Sequence, residues 1–267
     1  MPERIAYKYL SGDQLHLDVF RPRRQCSEHV SAIVFFFGGG FRGGSTAQFH
    51  PQAGALADRG MAAFCADYRV ATRHGTTPLE SLKDAKSAIR WIRRHAAAYG
   101  VDPDRVVAAG GSAGGYLALA AAMVDDVDED TDDPAVSAIP DALVLFNPAV
   151  NLDSGKIRDR FPDLTTSLKR ISPMHRVKEG LPPTIIFHGA EDRVVPFESV
   201  QRFTRRMRSA GNRCTLVSYP GEGHGFFNHP DVAPRFENTE AYRDTLARTD
   251  DFLCRYGFLC GRTGVPG

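Results

Sequence analysis

Short apolar runs alternate along this chain with segments of helical spacing, and that alternation restricts the fold more than any single residue does. Ala32 to Phe37, Met61 to Ala66, Arg105 to Ala109, Ala142 to Phe146 and Thr184 to His188 are each five or six residues long. That is strand length and too short for a helix. The runs are continuously apolar, with little polar alternation, so the strands are expected to be buried on both faces, as in a parallel sheet flanked by helices. Between them lie helix-like segments. From Pro78 to Tyr99, Leu79, Leu82, Ala85, Ile89, Ile92 and Ala96 recur at three- and four-residue spacing, and Gly100 ends the pattern. Arg90, Arg93 and Arg94 are then assigned to its solvated face. Phe49 to Arg59, Tyr116 to Val124, Phe197 to Ala210 and Glu237 to Arg255 complete the helices. Ile5 to Leu10 and Gln14 to Phe20, joined by Ser11-Gly12-Asp13, predict an opening hairpin, and Arg213 to Tyr219 an eighth strand.

These segments predict an α/β fold, a mostly parallel central sheet of about eight strands, in one domain spanning residues 1–267. No repeat or linker divides the chain. Residues 151–183, weakly periodic, charged and carrying four prolines, are expected to form a small cap or lid.

One turn in this framework carries chemistry. Gly110-Gly111-Ser112-Ala113-Gly114-Gly115 joins the strand ending at Ala109 to the helix beginning at Tyr116. G-x-S-x-G in that setting places a serine on a strained strand-to-helix turn, where only glycines leave room. A serine hydroxyl needs a base to take its proton, and the base needs a carboxylate to fix its tautomer. His224 sits in Gly221-Glu222-Gly223-His224-Gly225, a glycine-rich loop after the last strand, with His229 a minor rival five residues on. His188, at a strand end, is expected to pack or hydrogen-bond. Two carboxylates, Glu191 and Asp192, follow the strand Thr184 to Phe187. Phe37-Gly38-Gly39-Gly40-Phe41 follows the third strand, and three successive glycines permit close backbone approach. The N–H groups of Gly39, Gly40 and Ala113 are the candidate oxyanion donors.

Composition excludes other classes. A formal net charge of +1 gives no reason to expect nucleic acid or an acidic membrane as partner. No apolar run approaches the roughly 20 residues that span a bilayer. Met1-Pro2-Glu3-Arg4-Ile5 lacks the basic segment and apolar core of a secretory signal. The chain as it stands is therefore expected in the cytoplasm, or outside the cell if a signal was removed. The five cysteines, Cys26, Cys65, Cys214, Cys254 and Cys260, contain no C-x-x-C pair, which disfavours zinc and a disulfide framework; no metal or organic cofactor is expected. Asp125 to Asp133 holds seven acidic residues in nine. Without the glycine and terminal glutamate of an EF-hand loop, it reads as a solvated surface loop.

Taken in order, the glycine triplet, Ala66-Asp67-Tyr68-Arg69, Gly100-Val101-Asp102-Pro103 with Arg105, the Ser112 elbow, the Asp192 loop and the His224 loop resemble the α/β-hydrolase superfamily. Within it, the resemblance is to esterases similar to hormone-sensitive lipase and to the acetyl-xylan and feruloyl esterases. The chain order serine, acid, histidine fits either carboxylate, and it is the resemblance that favours Asp192 over Glu191. The resemblance implies a serine carboxylic-ester hydrolase acting on small acetyl esters, those carried by sugars or oligosaccharides among them, with Phe41, Phe226 and Phe227 flanking the mouth. One departure stands out: Phe37 occupies the position where those esterases usually carry the histidine of His-Gly-Gly-Gly. The rival readings are a serine peptidase of the prolyl-oligopeptidase kind and a non-catalytic ligand-binding protein.

Overall fold

The computed structural model describes residues 2–23, 29–153, 155–234 and 239–260. Cys26, Ser154 within the expected cap, and Glu237 at the expected start of the last helix lie outside them.

Eight strands form one sheet. They are β1 (Glu3–Leu10), β2 (Asp13–Phe20), β3 (Val30–Phe36), β4 (Ala62–Ala66), β5 (Val101–Gly111), β6 (Ala142–Phe146), β7 (Thr184–Gly189) and β8 (Cys214–Tyr219). The spatial order is β1-β2-β4-β3-β5-β6-β7-β8. The predicted hairpin pairs β1 with β2 antiparallel, β2 pairs antiparallel with β4, and every later pairing is parallel. Strand order therefore reverses at β3. The chain steps from β3 to β4 on one side, then returns to β5 on the other, which opens a crevice at the carboxyl ends of β3 and β5.

Helices cover both faces. They are α1 (His50–Asp58), α2 (Ala71–His74), α3 (Pro78–Arg94), α4 (Ala113–Met123), α5 (Gly155–Arg160), α6 (Thr165–Arg170), α7 (Phe197–Ser209) and α8 (Thr239–Arg255). One core packs Leu82, Ala85 and Ile89 of α3, all of α4, and Val200, Phe203 and Met207 of α7 against the sheet. The other packs Ala53 and Leu56 of α1 with Phe252 and Leu253 of α8 on the opposite face. Every residue of α4 is buried, and its alanines and glycines let it lie close to the strands. A capping box starts α3: Thr77 N–H donates to Glu80 (2.8 Å), the Thr77 hydroxyl accepts from Leu79 N–H, and Pro78 opens the first turn.

The solvated face expected of α3 holds at the exposed Arg94 and is corrected at Arg90 and Arg93. Arg90 is buried and pairs with Asp128 (2.6 Å) and Asp132 (3.1 Å); Lys86 is buried too, 2.9 Å from Asp128. Arg93 reaches Asp141 (3.0 Å). Glu129 sits 2.7 Å from both Lys8 and Arg69, which also hold the buried Asp84. Asp128, Glu129 and Asp132 of the seven-acid segment are thus counter-charges for basic side chains sinking into the fold, while Asp125, Asp126, Asp130 and Asp133 stay at the exposed surface expected of the loop. Buried cations persist only when paired.

Residues 155–175 contain α5, α6 and short 3₁₀ turns. Arg160, at the end of α5, donates to the Gly40 carbonyl (2.8 Å), so this segment touches the glycine loop.

Candidate active site

The elbow forms between β5 and α4. Ser112 has φ 54° and ψ −115°, the left-handed strain that the motif demands. A Cβ on Gly114 would overlap the Phe36 carbonyl, and one on Gly110 would lie 2.5 Å from Gly114. Helix and strand approach closely only because both positions are glycine. Ser112 N–H donates to the Phe146 carbonyl (2.9 Å), which pins the turn to β6.

Three loops bring the predicted side chains together. His224 Nε2 lies 3.0 Å from Ser112 Oγ, and His224 Nδ1 lies 2.7 Å from Asp192 Oδ2. Asp192 Oδ1 accepts from the N–H groups of Val194 (2.8 Å) and Val195 (2.9 Å). Burial alone pushes the Asp192 carboxyl up. The hydrogen bond and charge of His224, with the N–H groups of Val195 and Val194, outweigh it and hold the carboxyl below its ordinary value. Glu191, the competing carboxylate, is exposed. His229 packs edge-on against Tyr242 and faces Asp231 instead. His188 is fully buried; its Nε2 lies 2.9 Å from the Val195 carbonyl and 3.3 Å from Asp192. Burial holds it below the ordinary histidine value, against the pull of that carbonyl and of Asp192.

The glycine loop answers the question Phe37 raised. The Phe37 ring is buried and stacks on Tyr68, with centroids 4.1 Å apart, and the Tyr68 hydroxyl donates to the Phe37 carbonyl (2.7 Å). Gly38 N–H donates to Gln48 Oε1 (2.6 Å), and Gln48 Nε2 donates to Asn228 Oδ1 (2.9 Å). Asn228 Nδ2 donates in turn to the Gly225 carbonyl (2.7 Å), one residue from His224. Two glutamine and asparagine side chains therefore tie the glycine loop to the histidine loop. Among the described residues, the backbone N–H groups of Gly39, Gly40 and Ala113 take no part in the loop and turn hydrogen bonds. Gly39, Gly40, Ser112 and His224 share one open cleft of about 1040 Å³.

The match to known proteins covers the same features. The BD-FAE family model matches residues 17–207. The chain belongs to the BD-FAE family. It has the α/β-hydrolase fold of that esterase family. Its chain is similar to Thermogutta terrifontis esterase 2, solved phosphoramylated by tabun: 45% identity, TM-score 0.90, with 98% of this chain and 97% of that one covered. A butyrate-bound form of the same esterase matches at 43% identity and TM-score 0.89, covering 98% and 96%. Esterase LipC of Mycobacterium tuberculosis is 30% identical over 79% of this chain and 56% of its own. The chain spans about half the length of the curated relatives it matches.

This BD-FAE chain departs from the sequence reading at the mouth. Phe41 and Phe226 are buried, Phe41 edge-on to Tyr116 and Phe226 against Tyr219 and Phe227, so they are core side chains. Phe227 borders the cleft but is 1% exposed, stacked on Phe49 and Phe146. Asn147 was not foreseen. It is fully buried, has φ 35°, and brings Nδ2 to 3.4 Å from His224 Nε2. Its signal was visible in part, since it ends the strand Ala142 to Phe146 beside the one carrying the elbow. Gln48 and Asn228 had no sequence signal, because nothing in the spacing joins residues 180 positions apart. Among the described residues no group of three or more His, Cys, Asp or Glu side chains could hold a metal. None of the described helices is long and apolar enough to cross a membrane.

Proposed function

We propose that this chain is a serine carboxylesterase for short-chain acyl esters, acetyl among them. The observation that carries the reading is the unbroken line Ser112 Oγ, His224, Asp192 at 3.0 and 2.7 Å. Ser112 Oγ attacks the ester carbonyl while His224 Nε2 takes its proton, and Asp192 holds the proton on Nδ1 and stabilises the imidazolium. The N–H groups of Gly39, Gly40 and Ala113 receive the oxyanion, the last of them at the N-terminus of α4, where the helix dipole favours negative charge. His224 returns the proton to the alcohol as the carbon–oxygen bond breaks, leaving an acyl-enzyme. Water, deprotonated by His224, then releases the acid and restores Ser112. Buried thiols offer no competing nucleophile: burial pushes Cys65 up, and Cys214 to about 11. The butyrate form of the similar esterase supports a short acyl group. The segment 151–183, through Arg160 on Gly40, is proposed as a small cap beside the oxyanion site.

Acetate release from an activated acetyl ester, measured beside cleavage of an aminoacyl anilide, tests the reading. Hydrolysis of the ester with the anilide intact is expected. Faster cleavage of the anilide favours a peptidase, and ligand binding with neither cleaved favours a non-catalytic protein.

A further inference from the structure

The leaving alcohol has a fixed side of the cleft. His224 Nε2 must hand its proton to the alcohol oxygen, so the alcohol departs over the loops that carry Asp192 and His224. Those loops present Val194 and Val232 to the cleft. Val194 is 54% exposed and Val232 36%, and among the described residues the other large exposed hydrophobic side chains are Tyr9 and Ile139, neither of which borders it. Single exposed apolar side chains are ordinary; these two both line the cleft that holds Ser112 and His224. Both sit on held turns. Val194 N–H is bound by Asp192 Oδ1 (2.8 Å) and Val232 N–H by the His229 carbonyl (3.1 Å).

A sugar needs something else here. Its ring is recognised by an aromatic face and its hydroxyls by polar partners, and a hydroxyl buried without a partner is costly. Phe41 and Phe226, the aromatics expected at the mouth, are in the core. The polar lining side chains Arg42, Ser45 and Thr72 belong to the glycine loop and the chain after β4; on the His224 loop the cleft is also lined by Asn228, which is engaged by Gln48 and the Gly225 carbonyl, and by the exposed Asp231, 3.4 Å from His229.

We infer that Val194 and Val232 select the leaving alcohol, and that the preferred substrates are short-acyl esters of apolar alkyl or aryl alcohols, not of sugars. The inference rests on the serine-esterase reading above. The valines offer dispersion contact and exclude water from an alkyl or aryl group, and neither valine side chain can pair with a hydroxyl.

Butyl acetate and 2-methoxyethyl acetate test it, since they share the acyl group and length and differ by one methylene replaced with oxygen. Wild type is expected to prefer butyl acetate in kcat/KM by about three- to tenfold. The preference should shrink part-way in Val194→Thr and in Val232→Thr, and approach unity when both are changed. A 6-O-acetylated glucose should be the poorest of the three. Equal wild-type rates, a preference untouched by the double substitution, or faster release from the sugar would overturn the inference while leaving an esterase. If none of the three esters releases acetate, the serine-esterase reading falls, and this inference with it.

Discussion

Asp192 shows how a single side chain is readied for one role. Four groups converge on its carboxylate: His224, His188 and the N–H groups of Val194 and Val195. The hydrogen bond and charge of His224, with the two N–H groups, hold it ionised below the ordinary carboxylate range, while burial holds His188 below the ordinary histidine value. Asp192 should therefore stay ionised down through the ordinary carboxylate range of about pH 4, and a plot of log kcat/KM against pH should show no break there from its protonation. A break in that range that Asp192→Asn removes would mean that the carboxyl takes up a proton at its ordinary value, and the electrostatic account of the site would be wrong.

At the scale of elements, the glycine loop after β3 shows what replaces a missing anchor. Phe37 is turned into the core against Tyr68, so it makes no polar contact with its side chain. The loop is held instead by Gln48 on Gly38 and by Asn228 beyond it. Gln48→Ala frees Gly38 N–H and breaks the tie between the loops, so Gly39 and Gly40 lose their fixed aim. An acylation rate about 10- to 100-fold lower is expected, below or at the cost of removing one oxyanion donor outright. The variant should keep the wild-type pH profile, since the change neither adds nor removes an ionisable group. Stopped-flow acylation by an activated acetyl ester measures the effect. Wild-type rates in Gln48→Ala would show that the loop is held without it.

Over the whole molecule, what was legible in the sequence is what local pattern encodes. Short continuous apolar runs such as Ala142 to Phe146 mark the buried parallel strands by their length, and alternation across Ser11-Gly12-Asp13 marks the opening hairpin. The elbow was readable because strain and close packing leave no alternative to its glycines. Contacts between distant segments were not readable. The polar stripe of α3 looks like solvent-facing surface until the acidic loop folds over Lys86 and Arg90. Phe41 and Phe226 look like a rim because an aromatic beside a glycine-rich turn carries no mark of which way it points. The cleft was likewise beyond reach, because it exists only where β3 and β5 part and three loops meet. The central consequence proposed for this fold is one activated serine at that parting. It is tested most directly by intact-mass analysis after treatment with an aryl phosphonate ester, on wild type and on Ser112→Ala. A single adduct that maps to Ser112, and none on folded Ser112→Ala, is the expected result. An adduct that persists in Ser112→Ala, or a folded wild type that takes none, would contradict it.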